Sequence, residues 1–121
     1  MTKHALRAID AIQRLLAELQ KLRSKSPPGY SRVWRHILES AESAALNVYE
    51  GLGDGRPGKK VNFFRIGAGS ISECAGGLRS LVSEGGAKRT DAYKSMELCI
   101  CVSRMLKRLA DYWDTHPQNP R

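Results

Sequence analysis

Hydrophobic residues recur every three or four positions through four long stretches of this sequence, and short segments rich in glycine or proline separate the stretches. This spacing places the apolar side chains on one face of a helix with 3.6 residues per turn. No stretch alternates between apolar and polar residues over the length of a strand. The sequence therefore predicts an all-α protein. The predicted helices cover residues 3–24, 31–50, 58–84 and 91–114, followed by a flexible tail at 115–121.

The segments between the stretches contain residues that end or begin helices. Pro27 and Pro28 cannot continue the first helix, and Ser31 is positioned to cap the second. Gly51 is expected to end the second helix in the left-handed conformation, and Thr90 to cap the fourth. Four helices of similar length with short connections favour an antiparallel up-down four-helix bundle.

Length and composition restrict the class of protein. A chain of 121 residues suffices for one hydrophobic core, so we expect a single domain over residues 1–121. The sequence has no apolar run of about 18 residues that would span a bilayer, and its amphipathic N-terminus is unlike a secretion signal. Its 3 cysteines, an odd number, do not indicate a disulfide framework. We therefore expect a cytoplasmic protein without membrane contact.

Charge indicates a class of partner. The sequence has 20 Lys and Arg residues against 12 Asp and Glu residues, which gives a formal net charge of +8. Such an excess attracts polyanions, among them nucleic acid.

The segment from Gly53 to Lys59 has the spacing G-x-x-x-x-G-K of a nucleotide-binding phosphate loop. Such a loop follows a strand, and a Ser or Thr after its lysine holds magnesium. Here a predicted helix precedes Gly53 and Lys60 follows Lys59, which favours a connection between two helices. Positive charge is nevertheless concentrated beside the third helix, at Arg56, Lys59, Lys60 and Arg65. This cluster suits a nucleic-acid phosphate, or it is a solvated basic loop without a partner.

The third predicted helix carries small residues on the side where a solvent-facing helix usually carries charges. They are Ala68, Gly69, Ser72, Ala75, Gly76 and Ser83. Each glycine inside a helix costs about 1 kcal/mol relative to alanine, so the four at positions 67, 69, 76 and 77 need a reason such as close approach of another helix. That helix belongs either to the bundle or to a second copy of the chain. We favour an oligomer; a monomer with a loosely formed helix is the alternative.

Catalytic and metal-binding patterns are weak. The 3 histidines are scattered, and the pair Cys99 and Cys101 lacks the two-residue spacer of a usual zinc site. Cys74 and Cys99 are typical of small core residues. We therefore expect no enzymatic activity, no cofactor and no metal.

Two pairs of polar residues, Asn47 with Glu50 and Ser70 with Glu73, are spaced to share a helix face. An acid pair is one arrangement for acid–base chemistry or metal binding. These residues fit better as helix caps, as hydrogen-bonding groups across the bundle, or as partners of Arg65.

Two blocks of sequence carry a resemblance to a known family. They are NVYEGLG at Asn47–Gly53 and FFRIGAGSISE at Phe63–Glu73. In this order and spacing they resemble the bacterial four helix bundle protein family, first described as proteins encoded in intervening sequences of 23S ribosomal RNA genes. The resemblance implies a left-handed antiparallel bundle that assembles into a homopentamer and has no known enzymatic activity. The family's signature positions, which it implies serve fold and assembly, are Asn47, Glu50, Gly51, Gly69, Ser70 and Glu73.

A related branch of the family comprises accessory proteins of diversity-generating retroelements, which resemble basic pentameric barrels that bind nucleic acid and a reverse transcriptase. With the charge, this predicts a non-enzymatic oligomer that binds nucleic acid, RNA in particular, with little sequence specificity. The alternative is a protein-interaction scaffold that docks a reverse transcriptase, with nucleic-acid binding incidental. The predicted nucleic-acid contacts are Arg7, Arg14 and Lys21 on the first helix, Arg56, Lys59 and Lys60 in the connection, and Arg104, Lys107 and Arg108 on the fourth helix.

Overall fold

A computed structural model describes residues 2–117, and these residues form four α-helices. The helices are α1 (Thr2–Lys25), α2 (Ser31–Gly53), α3 (Pro57–Ser83) and α4 (Arg89–Thr115). The prediction of an all-α four-helix bundle is confirmed, and the helix ends differ from the predicted ones by at most three residues. Of the tail predicted at 115–121, the part from residue 118 onward lies outside the described residues. No helix within residues 2–117 is both long and apolar enough to cross a bilayer.

The helices form a four-sided bundle around one core. α1 packs against α2 and α4, and α3 packs against the same two helices. The predicted apolar positions supply the core, in which Ile12, Ile37 and Phe64 are almost completely buried. Burial of each such side chain contributes about 1.5–3 kcal/mol. Leu6 and Tyr49 fall on the apolar spacing of α1 and α2, yet they are 56% and 50% exposed.

The connections α1–α2 and α3–α4 lie together at one end of the bundle. The hydroxyl of Tyr30 donates to the carbonyl oxygen of Glu84 at 2.6 Å, and the hydroxyl of Ser26 donates to that of Gly86 at 2.6 Å. Gly85 has a φ of 86°, a left-handed conformation that suits glycine after the last turn of α3. These bonds hold the two turns against each other.

Two predicted N-caps are wrong. Ser31 is the first residue of α2, with Tyr30 before it, and α4 begins at Arg89, before Thr90. Neither helix has a side-chain bond at its N-cap. Backbone bonds close these first turns: the N–H of Trp34 donates to the carbonyl oxygen of Tyr30, and the N–H groups of Asp91 and Ala92 donate to that of Lys88.

The prediction that Gly51 ends α2 is also wrong. α2 continues to Gly53, and Gly51 is a buried helical residue without a positive φ. A Cβ at Gly51 would lie 2.7 Å from Cε1 of Phe64. Gly51 therefore permits close approach of α3, and the connection to α3 is reduced to residues 54–56.

Candidate nucleic-acid interface

The nine predicted contacts do not share one surface. Arg7 and Arg108 line a groove between α1 and α4, Arg104 and Lys107 line a groove between α3 and α4, and Arg56 and Lys59 line a groove at the start of α3. Arg14 and Lys21 line none of these three grooves. One of them, Lys60, is buried.

The α1/α4 groove has a volume of about 380 Å³. It is lined by His4, Arg7, Met105, Arg108, Leu109 and Tyr112. Among residues 2–117, no Asp or Glu lines this groove. Arg14 and Lys21 follow Arg7 at seven-residue intervals, so they continue the same side of α1. The charge of Lys21 is partly compensated, because its Nζ lies 3.4 Å from Oε2 of Glu18.

The α3/α4 groove is smaller, about 260 Å³, and contains Arg104 and Lys107. Arg79 of α3, which is not among the nine predicted contacts, lies in the same groove. Its signal in the sequence is its spacing of seven and four residues from Ser72 and Ala75, which also line the groove. No Asp or Glu occurs between residues 98 and 110, so Arg104, Lys107 and Arg108 form a basic run on α4 that ends at Asp111.

The charge of Arg56 is used within the α2–α3 connection. Its backbone N–H and its Nε–H donate to Oδ1 of Asp54 at 2.8 and 3.0 Å, and its Nη2 donates to Oδ2 at 2.8 Å. These hydrogen bonds lower the pKa of Asp54 to about 2. Arg65, on the first turns of α3, lies 3.3 Å from Oδ2 of Asp114. The groove of about 580 Å³ at this end therefore contains two arginines that already have acidic partners.

Lys60 is the predicted contact that the structure contradicts. It is 4% exposed, and its Nζ donates to the carbonyl oxygens of Gly51 at 2.7 Å and Leu52 at 3.2 Å. The Nζ also lies 5.3 Å from the ring centroid of Trp113. The last turn of a helix leaves carbonyl groups without intrahelical partners, and a cation there is favourable. Lys60 thus stabilises the end of α2 and is not available to phosphate, whereas Lys59 is exposed.

The signature positions at the α2–α3 contact make hydrogen bonds inside the chain. Nδ2 of Asn47 donates to the carbonyl oxygen of Ser43 at 2.8 Å, and the hydroxyls of Ser43 and Ser70 are 3.1 Å apart. Glu50 and Glu73 are exposed. Of the three alternatives for these residues, the Ser43–Ser70 contact agrees with hydrogen bonding across the bundle, whereas the ion-pair partner of Arg65 is Asp114.

The cysteines agree with a structural role. Cys74 and Cys99 are buried with their Sγ atoms 3.9 Å apart, as predicted for core residues. The hydrogen bond with Cys99 and burial raise the pKa of the Cys74 thiol. Cys101 is exposed. Within residues 2–117 no three His, Cys, Asp or Glu side chains are grouped to hold a metal ion.

The outer face of α2 differs from these basic grooves. Between Arg35 and Arg56 the sequence has no Lys or Arg. The exposed charges of this part of α2 are Glu39, Glu42 and Glu50. Two large apolar side chains are exposed on the same helix, Leu46 at 65% and Tyr49 at 50%. We call this surface, residues 39–50, the acidic face.

Comparison with known proteins leaves the family prediction open. No model of a known protein family matches the chain, and no curated protein matches it either. Membership of the family that residues 47–53 and 63–73 resemble therefore stays a prediction.

Proposed function

We propose that this protein is a non-enzymatic helical bundle that self-associates and binds nucleic acid, RNA in particular, through basic surfaces with little sequence specificity. The observation that carries the proposal is the segregation of charge. The two grooves on either side of α4 contain five cations, Arg7, Arg79, Arg104, Lys107 and Arg108. No carboxylate among residues 2–117 lines either groove, whereas the exposed charges of the acidic face are all negative.

Both grooves adjoin α4, so a nucleic-acid strand that lies along this helix would contact cations on each side of it. Arginine and lysine contacts to phosphate position a nucleic acid without reading its sequence. Each contact releases counterions, so the logarithm of the binding constant falls linearly with the logarithm of the salt concentration. The slope is roughly 0.7–0.9 for each phosphate contacted.

The first experiment measures fluorescence anisotropy of labelled structured RNA and of a scrambled sequence, from 50 to 200 mM salt. We expect both RNAs to bind with similar affinity and with a steep salt dependence. The double variant Arg104→Gln/Lys107→Gln should lower the slope by about two. The matched control is Arg32→Gln/Arg35→Gln, which removes two exposed charges from α2. Absence of binding at low salt, or binding that salt does not change, would overturn the proposal.

Self-association is supported by the outward side of α3. A Cβ at Gly69 or Gly76 would meet no atom of the described chain within 4 Å, and the nearby Ile66 is 45% exposed. The family resemblance implies a pentamer. Light scattering at micromolar concentration checks this, and the mass of a single chain would contradict it.

A second candidate function is a protein-interaction scaffold, and the acidic face favours it. Leu46 and Tyr49 expose apolar area beside Glu42 and Glu50, a combination that suits a partner with apolar and basic residues. The family branch described above implies a reverse transcriptase as the partner. A pull-down from the native host after nuclease treatment tests this. A partner that persists, and that the variant Leu46→Ser loses, supports the scaffold.

A further inference from the structure

The α1/α4 groove combines positive charge with an aromatic side chain. Arg7 and Arg108 line it together with Tyr112, and its volume of about 380 Å³ lies in the range of small-molecule sites. Met105 and Leu109 add apolar lining between the polar groups. These are the components that a nucleotide requires, because a nucleotide has an anionic phosphate and a flat, weakly polar base.

The position of the Tyr112 ring is fixed by its neighbours at the end of α4. It stacks on the ring of His116, with centroids 4.3 Å apart and an angle of 12° between the planes. Nδ1 of His116 lies 2.8 Å from the carbonyl oxygen of Tyr112, and the ring of Trp113 meets that of Tyr112 edge-on at 5.2 Å. An aromatic ring that is already held in place loses little conformational freedom when a ligand packs against it.

The other two basic grooves lack one of these components. The α3/α4 groove contains Arg79, Arg104 and Lys107, but no aromatic residue of the described chain lines it. The groove at the start of α3 is likewise lined by no aromatic residue of the described chain, and Arg65 and Arg56 there already pair with Asp114 and Asp54. Of the three, the α1/α4 groove alone joins aromatic and cationic groups without a lining carboxylate from residues 2–117.

We propose that the α1/α4 groove binds an unpaired nucleotide, whose base packs beside Tyr112 while flanking phosphates contact Arg7 and Arg108. This inference rests on the proposed function, since it names the part of the nucleic acid that enters one of the grooves. Proteins that bind single strands combine such cations with aromatic stacking, which tolerates any base. A base inside a duplex is already stacked and paired, so the groove favours single-stranded over double-stranded RNA.

Three labelled probes of equal length separate the components at 50 mM salt: an oligouridine, the same backbone without bases, and an RNA duplex. We expect oligouridine to bind about tenfold more tightly than the abasic backbone. Tyr112→Leu should remove most of this preference and leave abasic binding unchanged, whereas Arg7→Gln should weaken both. The control is Tyr93→Leu, which changes another tyrosine of α4, 60% exposed, and should leave the tenfold preference intact.

The outcomes distinguish the two proposals. If the wild-type protein binds none of the probes, the proposed function and this inference are both overturned. If it binds all three without preference for bases, or if Tyr112→Leu behaves like Tyr93→Leu, the inference fails and the proposed function stands.

Photo-crosslinking of the wild-type protein to an oligomer that contains 4-thiouridine keeps the test valid should Tyr112→Leu not fold. Mass spectrometry should locate the cross-link at Tyr112 or Met105. Cross-links found only outside α1 and α4 would overturn the inference.

Discussion

The two sides of α3 place identical residue types in opposite surroundings. On the side toward α2, a Cβ at Gly77 would lie 2.7 Å from Cγ1 of Ile37, and Lys60 is buried against the end of α2. On the other side, the adjacent Gly76 has no atom of the described chain within 4 Å of such a Cβ, and Lys59 is exposed. The reason for a glycine or a lysine in this helix is therefore set by what lies opposite it, and neighbours in sequence serve as controls for each other.

The largest effect is expected from Lys60→Met. This change keeps much of the apolar stem but removes the hydrogen bonds to Gly51 and Leu52. Hydrogen bonds of a charged group contribute about 1.5–3 kcal/mol, so we expect the free energy of unfolding in urea to fall by about 2 kcal/mol. The control Lys59→Met should change it by less than about 0.5 kcal/mol, as is usual on a surface. Equal losses for the two variants would mean that Lys60 has no special role.

The next effect concerns the outward side of α3 and the proposed self-association. Gly69→Glu adds a long charged side chain at a position with open space in the single chain. If a second copy packs there, we expect association to weaken at least tenfold, about 1.4 kcal/mol. Light scattering should show a smaller mass, while thermal unfolding at high dilution should show no loss of stability, because replacement of an exposed helical glycine favours the helix. Gln20→Glu on α1 is the control for the added charge, and an unchanged mass for Gly69→Glu would remove this side of α3 from the interface.

Gly77→Ala and Gly76→Ala test the comparison at adjacent positions. Overpacking against Ile37 costs about 1–3 kcal/mol, and replacement of a helical glycine regains about 1 kcal/mol, so Gly77→Ala should lose about 1 kcal/mol net. Gly76→Ala has no such contact and should gain up to about 1 kcal/mol. Urea unfolding measures both. A Gly77→Ala protein as stable as the wild type would show that α2 moves away from α3 without cost.

The sequence was sufficient for the helices, because each predicted helix is long and its apolar period of 3.6 is clear. It also predicted that the glycines of α3 need a close neighbour. It did not tell which of them has one, since Gly67 and Gly77 contact other helices of the bundle whereas Gly69 and Gly76 do not. That distinction depends on the rotation of α3 against α2 and α4, which periodicity fixes only to within about a residue.

The same limit explains the candidate site. Eight of the nine cations that were predicted to contact nucleic acid are exposed in the structure, and Lys60 is the exception. One residue corresponds to 100° around a helix, so Lys59 and Lys60 point in different directions. Lys60 is buried against the end of α2, whereas Lys59 is exposed to solvent. Arg79 was missed because it is isolated among small residues on α3, and only the packing of α4 places it beside Arg104.

The smallest effect on stability is expected from the pair Asp54 and Arg56, in the connection between α2 and α3. Hydrogen bonds from Arg56 lower the pKa of Asp54 to about 2, below its ordinary value of 3.8. Because the folded state favours the charged carboxylate, this pair stabilises the protein above about pH 4, and its contribution is lost as the pH falls from 4 toward 2. The effect on stability is small, since both side chains are in contact with solvent.

Carboxyl carbon chemical shifts measured against pH by NMR test the pair directly. We expect the Asp54 resonance to titrate with a midpoint near 2 in the wild-type protein and at a higher pH in Arg56→Gln, still below 3.8 because the backbone N–H of residue 56 continues to donate to Oδ1 of Asp54. Lys59→Gln, a loss of charge at an exposed neighbour, should move the midpoint much less, because Lys59 makes no hydrogen bond to Asp54 in the described structure. A wild-type midpoint near 4 would instead show that Arg56 does not hydrogen-bond to Asp54 in solution. Arg56 and Lys59 would then both be uncompensated cations at the start of α3. The guanidinium group of Arg56 would be available to bind phosphate, whereas in this structure it binds Asp54.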